Sequence, residues 1–293
     1  MPDFQTKFAP VASALEGATA RGVLWQAARG RFLLDVPDVA RYLVSDGAVI
    51  TIDHAPDAHD EEVTRFLRMT PLAALLFQRG SLAFHAAALS PPSLPQQDMG
   101  WADETGAILI AGDSGAGKST LLAALLQRGW RLLADDLAVV DMDAGGRLVV
   151  LPAFPEIVLW QDAVEKLGLG AATRKAFPTS SGLSVLTSQL ATAPQPLRAI
   201  YWLSIHHKDE IEMSELKGAE RFRAIGTLTY NSHIADALLD LTTYLRRASA
   251  IAQTIPLRRL RRPRGQWSVA ELADKIVIVS ETLRFGQSDK SSQ

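Results

Sequence analysis

Nine consecutive residues carry the clearest chemistry in this chain: Gly112, Asp113, Ser114, Gly115, Ala116, Gly117, Lys118, Ser119 and Thr120. They fit the pattern G-x-x-x-x-G-K-[ST] at every fixed position. Glycines at these places let the backbone wrap around an anion with successive N–H groups pointing inward. A helix that opens at the lysine adds its positive end to the same nest. Lys118 is then placed to neutralise β- and γ-phosphate oxygens, and the Ser119 hydroxyl to reach Mg²⁺. Asp135 and Asp136 follow soon after, between the apolar runs LLA and LAVV. Charges in such surroundings are costly unless matched, so the pair reads as catalytic or metal-binding rather than as a solvated turn. Alternation along a strand would send one carboxylate to the metal and the other to an incoming hydroxyl. His85 lies in the apolar run AFHAAAL. Taken alone, a single histidine there reads more readily as a hydrogen-bonded core residue than as a catalyst.

The hydrophobic pattern supplies the elements that must hold these groups. Ala107–Ala111 is an apolar strand that runs into the phosphate loop, and Leu121–Arg128 is a helix closed by Gly129. Arg131–Ala134 is the strand that delivers the acidic pair. Leu137–Met142 and Arg147–Leu151 flank a turn at Asp143-Ala144-Gly145-Gly146. Further strands are expected at Leu197–Ile205, Glu210–Leu216 and Thr254–Leu260, and helices at Ala219–Ile225, Ser232–Ala248 and Ser268–Leu283. Upstream, Ser81–Leu89 reads as one buried strand. Before it come short strands at Phe32–Val36, Ala40–Val44 and Val49–Asp53, with a hairpin signal at Asp46-Gly47. A helix over Glu61–Arg79 is kinked or restarted at Pro71. The fold class is therefore α/β, a mixed sheet with flanking helices. It divides into a β-rich N-terminal module with its linking helix, residues 1–80, and a phosphate-loop domain, residues 81–293.

Composition sets the frame. The chain has 293 residues, 47% of them hydrophobic and 21% charged, which suits a sizeable core and excludes wholesale disorder. Thirty basic against 32 acidic side chains leave a formal charge of −2, so a nucleic-acid partner is not expected. No cysteine is present, which removes thiolate metal sites and cysteine nucleophiles. Neither a secretory leader nor a membrane span is read, and a cytoplasmic location is expected. Five arginines fall between positions 258 and 264. They read either as a charged, protective edge strand or as guanidinium groups for phosphate or an acidic acceptor.

The run GDSGAGKSTLLAALLQRGWRLLADDLAVVD resembles the catalytic core of the HPr kinase/phosphorylase family, which carries a GDSGxGKS loop and a strand ending in Ala-Asp-Asp. His85 matches a histidine on the strand before the loop. The resemblance implies a fold related to phosphoenolpyruvate carboxykinase and transfer of the γ-phosphoryl group of ATP to a serine hydroxyl. It implies Asp135 as general base, Asp136 and Ser119 as Mg²⁺ ligands, and His85 as the group that orients the acidic pair. The match covers about residues 81–141. The family's downstream glycine- and arginine-rich signature has no counterpart; LPAFPEIVLW stands there, with Glu156 a further metal-ligand candidate. The layout is similar to HPr-kinase-like proteins encoded beside peptide-modification genes, including lasso-peptide kinases. The expected partner is a peptide or small protein, with self-association left open. The alternatives are a kinase for a small-molecule hydroxyl and a nucleotide-dependent regulatory module with weak ATPase activity.

Overall fold

The computed structural model describes residues 4–92, 106–170, 173–175 and 182–285. The chain opens with six strands: β1 (Gln5–Phe8), β2 (Ala20–Arg21), β3 (Trp25–Ala28), β4 (Arg31–Val36), β5 (Ala40–Ser45) and β6 (Val49–His54). They form one sheet in the order β1-β6-β5-β4-β3-β2. β5 alternates buried and half-buried residues, with Ala40, Tyr42 and Val44 turned inward. Asp46 and Gly47 both hold positive φ, +51° and +61°, at the centre of the tight turn that Ala48 N closes on Ser45 O at 3.0 Å between β5 and β6.

Two helices follow, α1 (Asp60–Leu67) and α2 (Thr70–Gln78). Pro71 sits in the first turn of α2, where its missing N–H costs nothing, so the proline restarts the helix. Residues Pro71 to Phe77 are all buried. A helix apolar on every side belongs inside a core, and α2 packs on β4, β5 and β6 of the first sheet and on β7 (Leu82–Phe84) of the next.

The rest of the chain adds β8 (Ala86–Ser90), β9 (Ala107–Ala111), α3 (Lys118–Leu126), β10 (Arg131–Ala134), β11 (Ala138–Met142) and β12 (Leu148–Leu151). Next come β13 (Glu156–Trp160), α4 (Gln161–Leu167), β14 (Thr173–Lys175), β15 (Gly182–Leu186), β16 (Gln195–His206) and β17 (Glu212–Glu215). The chain then forms α5 (Gly218–Leu228), α6 (Ser232–Leu238), α7 (Leu241–Thr254), β18 (Leu257–Pro263) and α8 (Val269–Phe285). The large sheet is mixed, in the order β10-β8-β9-β16-β12-β11-β7, with β18 on β16 and β17 on β18. Strands β9, β16 and β18 run parallel. A small sheet, β13-β15-β14, lies apart.

Strand alternation divides the large sheet between two cores. Ala107, Leu109 and Ile200 join α2 and the first sheet in one cluster, whereas Ile108, Ile110, Tyr201 and Leu203 meet α3 and α8 in another. The first cluster contains Phe32 and Ile50 of the N-terminal sheet together with Leu82, Val140 and Leu257 of the large one. Both sheets therefore share one hydrophobic interior.

Three of the elements read from the sequence are drawn differently in the structure. The run from Ser81 to Leu89 is two strands that break at His85: β7 pairs with β11, while β8 pairs with β9 and β10. The expected helix over Ser232–Ala248 is two, because the Asp240 carboxylate accepts the Thr243 amide at 2.8 Å and starts α7 anew. Helix α7 then runs through Thr254, so the following strand begins only at Leu257. That strand is no sheet edge, since β16 and β17 flank it. No helix among the described residues is long and apolar enough to cross a membrane.

Candidate active site

The phosphate-loop residues leave the C-terminal end of β9 and enter α3 at Lys118. Gly112 has φ +148°, and a Cβ there would lie 2.2 Å from the backbone oxygen of Leu203 on β16. Only glycine lets the loop leave between two parallel strands. Gly115 and Gly117 have φ +78° and +105°. Asp113, Ser114 and Gly115 are exposed, Ala116 is buried, and Ser119 and Thr120 are half-buried. Lys118 is buried, and its Nζ donates to the carbonyl oxygens of Gly112 at 3.0 Å and Asp113 at 3.1 Å. Burial pulls its ammonium below the ordinary lysine value, against the opposing charges of Asp136, Asp135 and Asp113. From outside the loop, Arg262 on β18 donates Nε to Ala116 O at 2.7 Å and Nη2 to Gly115 O at 3.4 Å. Two cationic side chains thus hold carbonyls of the loop, and the Ala116 amide donates to Asp113 O at 3.2 Å.

Arg262 accounts for one of the five arginines in the basic run. Arg258 faces Glu215 at 3.9 Å, Arg259 faces Glu220 at 3.5 Å and stacks on Trp202 at 4.5 Å, and Arg261 faces Glu212 at 3.4 Å. Three of the five arginines thus pair with glutamates of β17 and α5, and among these four only Arg262 reaches the loop after β9.

Asp135 and Asp136 stand just past β10. Asp136 has φ +64°, and Leu137 N donates to Asp135 O at 2.8 Å. A hydrogen bond spanning two residues around a positive φ is a γ-turn of the rare, strained kind. It interrupts strand alternation, and both residues line one cavity. Asp135 accepts the Ser119 hydroxyl at 3.1 Å and the Val158 amide at 3.4 Å. Burial, then the adjacent Asp136 charge, push the Asp135 carboxyl up to about 7, against the pull of those two donors. His85 Nε2 lies 4.0 Å from Asp136 Oδ1. Burial and then Lys118 hold its imidazole below the ordinary histidine value, so it is neutral at neutral pH despite the carboxylates nearby. The break between β7 and β8 leaves His85 free of strand alternation; its amide donates to Leu228 O at 3.2 Å.

Sequence reading missed three neighbours. Tyr230 follows α5, its ring centroid 6.1 Å from that of His85, and its hydroxyl lies 3.2 Å from Thr70 Oγ1. Asn231, with φ +41°, donates to the same threonine oxygen at 3.5 Å. These contacts span about 160 positions of sequence, and no local motif announces them. Glu156 is drawn toward Arg68, at 3.3 Å, and accepts from the Ser184 hydroxyl. Arg174 and Lys175 lie on β14, with side chains outside the described residues.

Among the described residues no three histidine or carboxylate side chains converge on one point. Ser119 Oγ beside Asp135 Oδ1 is nevertheless the sparse oxygen donor set that suits Mg²⁺, which is taken up with phosphate oxygens and water through one or two carboxylates.

No family model matches the chain. No curated protein matches it either. Among solved structures, the HPr(Ser) kinase/phosphatase from Coxiella burnetii is similar at 12% identity and a TM-score of 0.32, over 72% of this chain and 99% of that one.

Proposed function

We propose that this protein is an ATP- and Mg²⁺-dependent kinase that phosphorylates a serine-type hydroxyl on a peptide or small protein. The observation that carries the reading is the γ-turn at Asp136, which sets two adjacent aspartates on the lining of one cavity while Ser119 of the loop reaches Asp135 and His85 lies by Asp136. In this reading backbone amides of the loop and the Lys118 ammonium hold the β- and γ-phosphates. Ser119 and Asp135 hold Mg²⁺, which when bound offsets charge on the phosphate oxygens. Asp136 faces the acceptor. It takes the hydroxyl proton as the acceptor oxygen bonds to the γ-phosphorus and the bond to the β-bridging oxygen breaks, ADP leaving with that electron pair. The neutral His85 imidazole orients Asp136. The contacts favour this assignment over the one expected from the sequence, in which Asp135 was the base and Asp136 the metal ligand. The Ser119 hydroxyl meets Asp135, and the histidine meets Asp136.

The test is transfer from γ-labelled ATP to peptide and small-molecule acceptors. Asp136→Asn is expected to lower kcat by 10²–10⁴-fold with ATP affinity retained. Lys118→Ala is expected to weaken ATP binding itself. Wild-type transfer by Asp136→Asn, or label recovered only as free phosphate, would sink the proposal.

A further inference from the structure

The cavity that ends on Asp135 and Asp136 is about 280 Å³, near the lower end of the ~300–1,000 Å³ usual for bound small ligands. It holds a few side chains of an extended segment. Two parts of the chain wall it. One side is the acidic pair with Val139, Leu151 and Phe154 of the large sheet and the turn after β12; the other is α1 and α2, which bring Leu72 and Leu76 from the linking helix. Arg68 closes the walls together, stacked on the Phe154 ring at 4.1 Å and paired with Glu156. Asp60 and Glu61, both exposed in the first turn of α1, form the outer rim. Around the cavity five carboxylates face two guanidinium groups, Arg65 and Arg68. An anionic nucleotide at the inner end adds to the negative side. The floor between the two charged ends is apolar.

Resting on the kinase reading above, we infer that this cavity is the acceptor channel and that α1–α2 reads the substrate. Its occupant is a peptide segment with a hydroxyl side chain at the Asp136 end, an apolar side chain over Leu72 and Phe154, and a basic side chain at the Asp60–Glu61 rim. An acidic segment is repelled by the rim before its hydroxyl arrives. A polar small molecule such as a sugar leaves the apolar floor unused.

The experiment is a positional peptide library, each member carrying one serine, assayed with the full chain, Mg²⁺ and γ-labelled ATP. The expected result is enrichment for a basic residue and an apolar residue within a few positions of the serine. The exposed-rim variants Asp60→Asn and Glu61→Lys should each lower kcat/KM for the basic peptide at least fivefold, together more than twentyfold. Both should leave the affinity for an ATP analogue unchanged, and Glu61→Lys should improve acidic peptides. Thermal midpoints of the variants separate recognition from misfolding, and Glu61→Asp should restore the preference. Transfer with a preference that the rim variants do not move overturns the channel and leaves the kinase reading standing. Transfer to small molecules alone overturns the peptide occupant. No transfer to any acceptor overturns both.

Discussion

At Asp136 the backbone is held at φ +64°, a conformation that costs a non-glycine residue on the order of 1–3 kcal/mol. That cost sits beside the cavity and two residues from the end of β10, where an ordinary strand would have turned the carboxylate away. Asp136→Gly should therefore raise stability by about 1 kcal/mol in chemical denaturation, while phosphoryl transfer disappears. A loss of stability in that variant would contradict the strain argument. Gly112→Ala meets the opposite fate: its Cβ collides with the Leu203 carbonyl. Nucleotide affinity should fall at least tenfold, measured by titration calorimetry, with a lowered thermal midpoint. The strand, turn and helix around residues 112–120 were legible in sequence because the glycines and the apolar runs that bound them are adjacent. The placement of the two aspartates was not legible. Strand alternation predicted opposite sides, and nothing local signals a γ-turn in Ala-Asp-Asp-Leu.

Between elements, the tie that lends itself to measurement joins β11 to α7. Arg247 pairs with Asp141 on β11, and Ser81 Oγ donates to the same carboxylate at 2.7 Å. Burial would raise the Asp141 carboxyl, yet the Ser81 and Arg247 hydrogen bonds win and hold it below the usual range. A depressed carboxyl stabilises the fold above its unfolded value near 4 and loses that contribution as pH falls through the folded value. Arg247→Met should thus cost about 1–3 kcal/mol at pH 7, with the gap to wild type closing as pH drops below 4. A gap that does not change with pH would assign the loss to packing instead. Element type was readable where periodicity was long, as in α8, and the Asp46-Gly47 turn followed from glycine and aspartate tolerance of positive φ. The split of α6 from α7 escaped, because a single Asp240 cap outweighed continuous helical periodicity. The nature of β18 escaped too. Arginine-rich sequence suggested a defended edge, but glutamates on β17 and α5 answer most of those charges from far along the chain.

On the scale of the whole molecule, one interior serves both sheets. Phe32 and Ile50 share a cluster with Leu82, Val140 and Leu257, and α2 is buried between them. Residues 1–80 and 81–293 should therefore unfold in a single transition, detected alike by far-ultraviolet and tryptophan signals. Two separated transitions would mean that the N-terminal sheet is an independent unit. Leu75→Ala, fully buried in α2, should cost about 2–5 kcal/mol and shift both signals together. Sequence patterns pointed to N-terminal strands; their sharing of a core with the large sheet depends on long-range packing that periodicity does not encode. The break at His85 carries one more consequence. Strands β7 and β8 meet there with different partners, and Ala87 and Leu89 face one core while Ala86 and Ala88 face the other. Adding or deleting one residue between Ser81 and Ser90 would exchange those faces and turn the imidazole from Asp136 in the same stroke. This stretch can drift in composition over evolutionary time, but not in length.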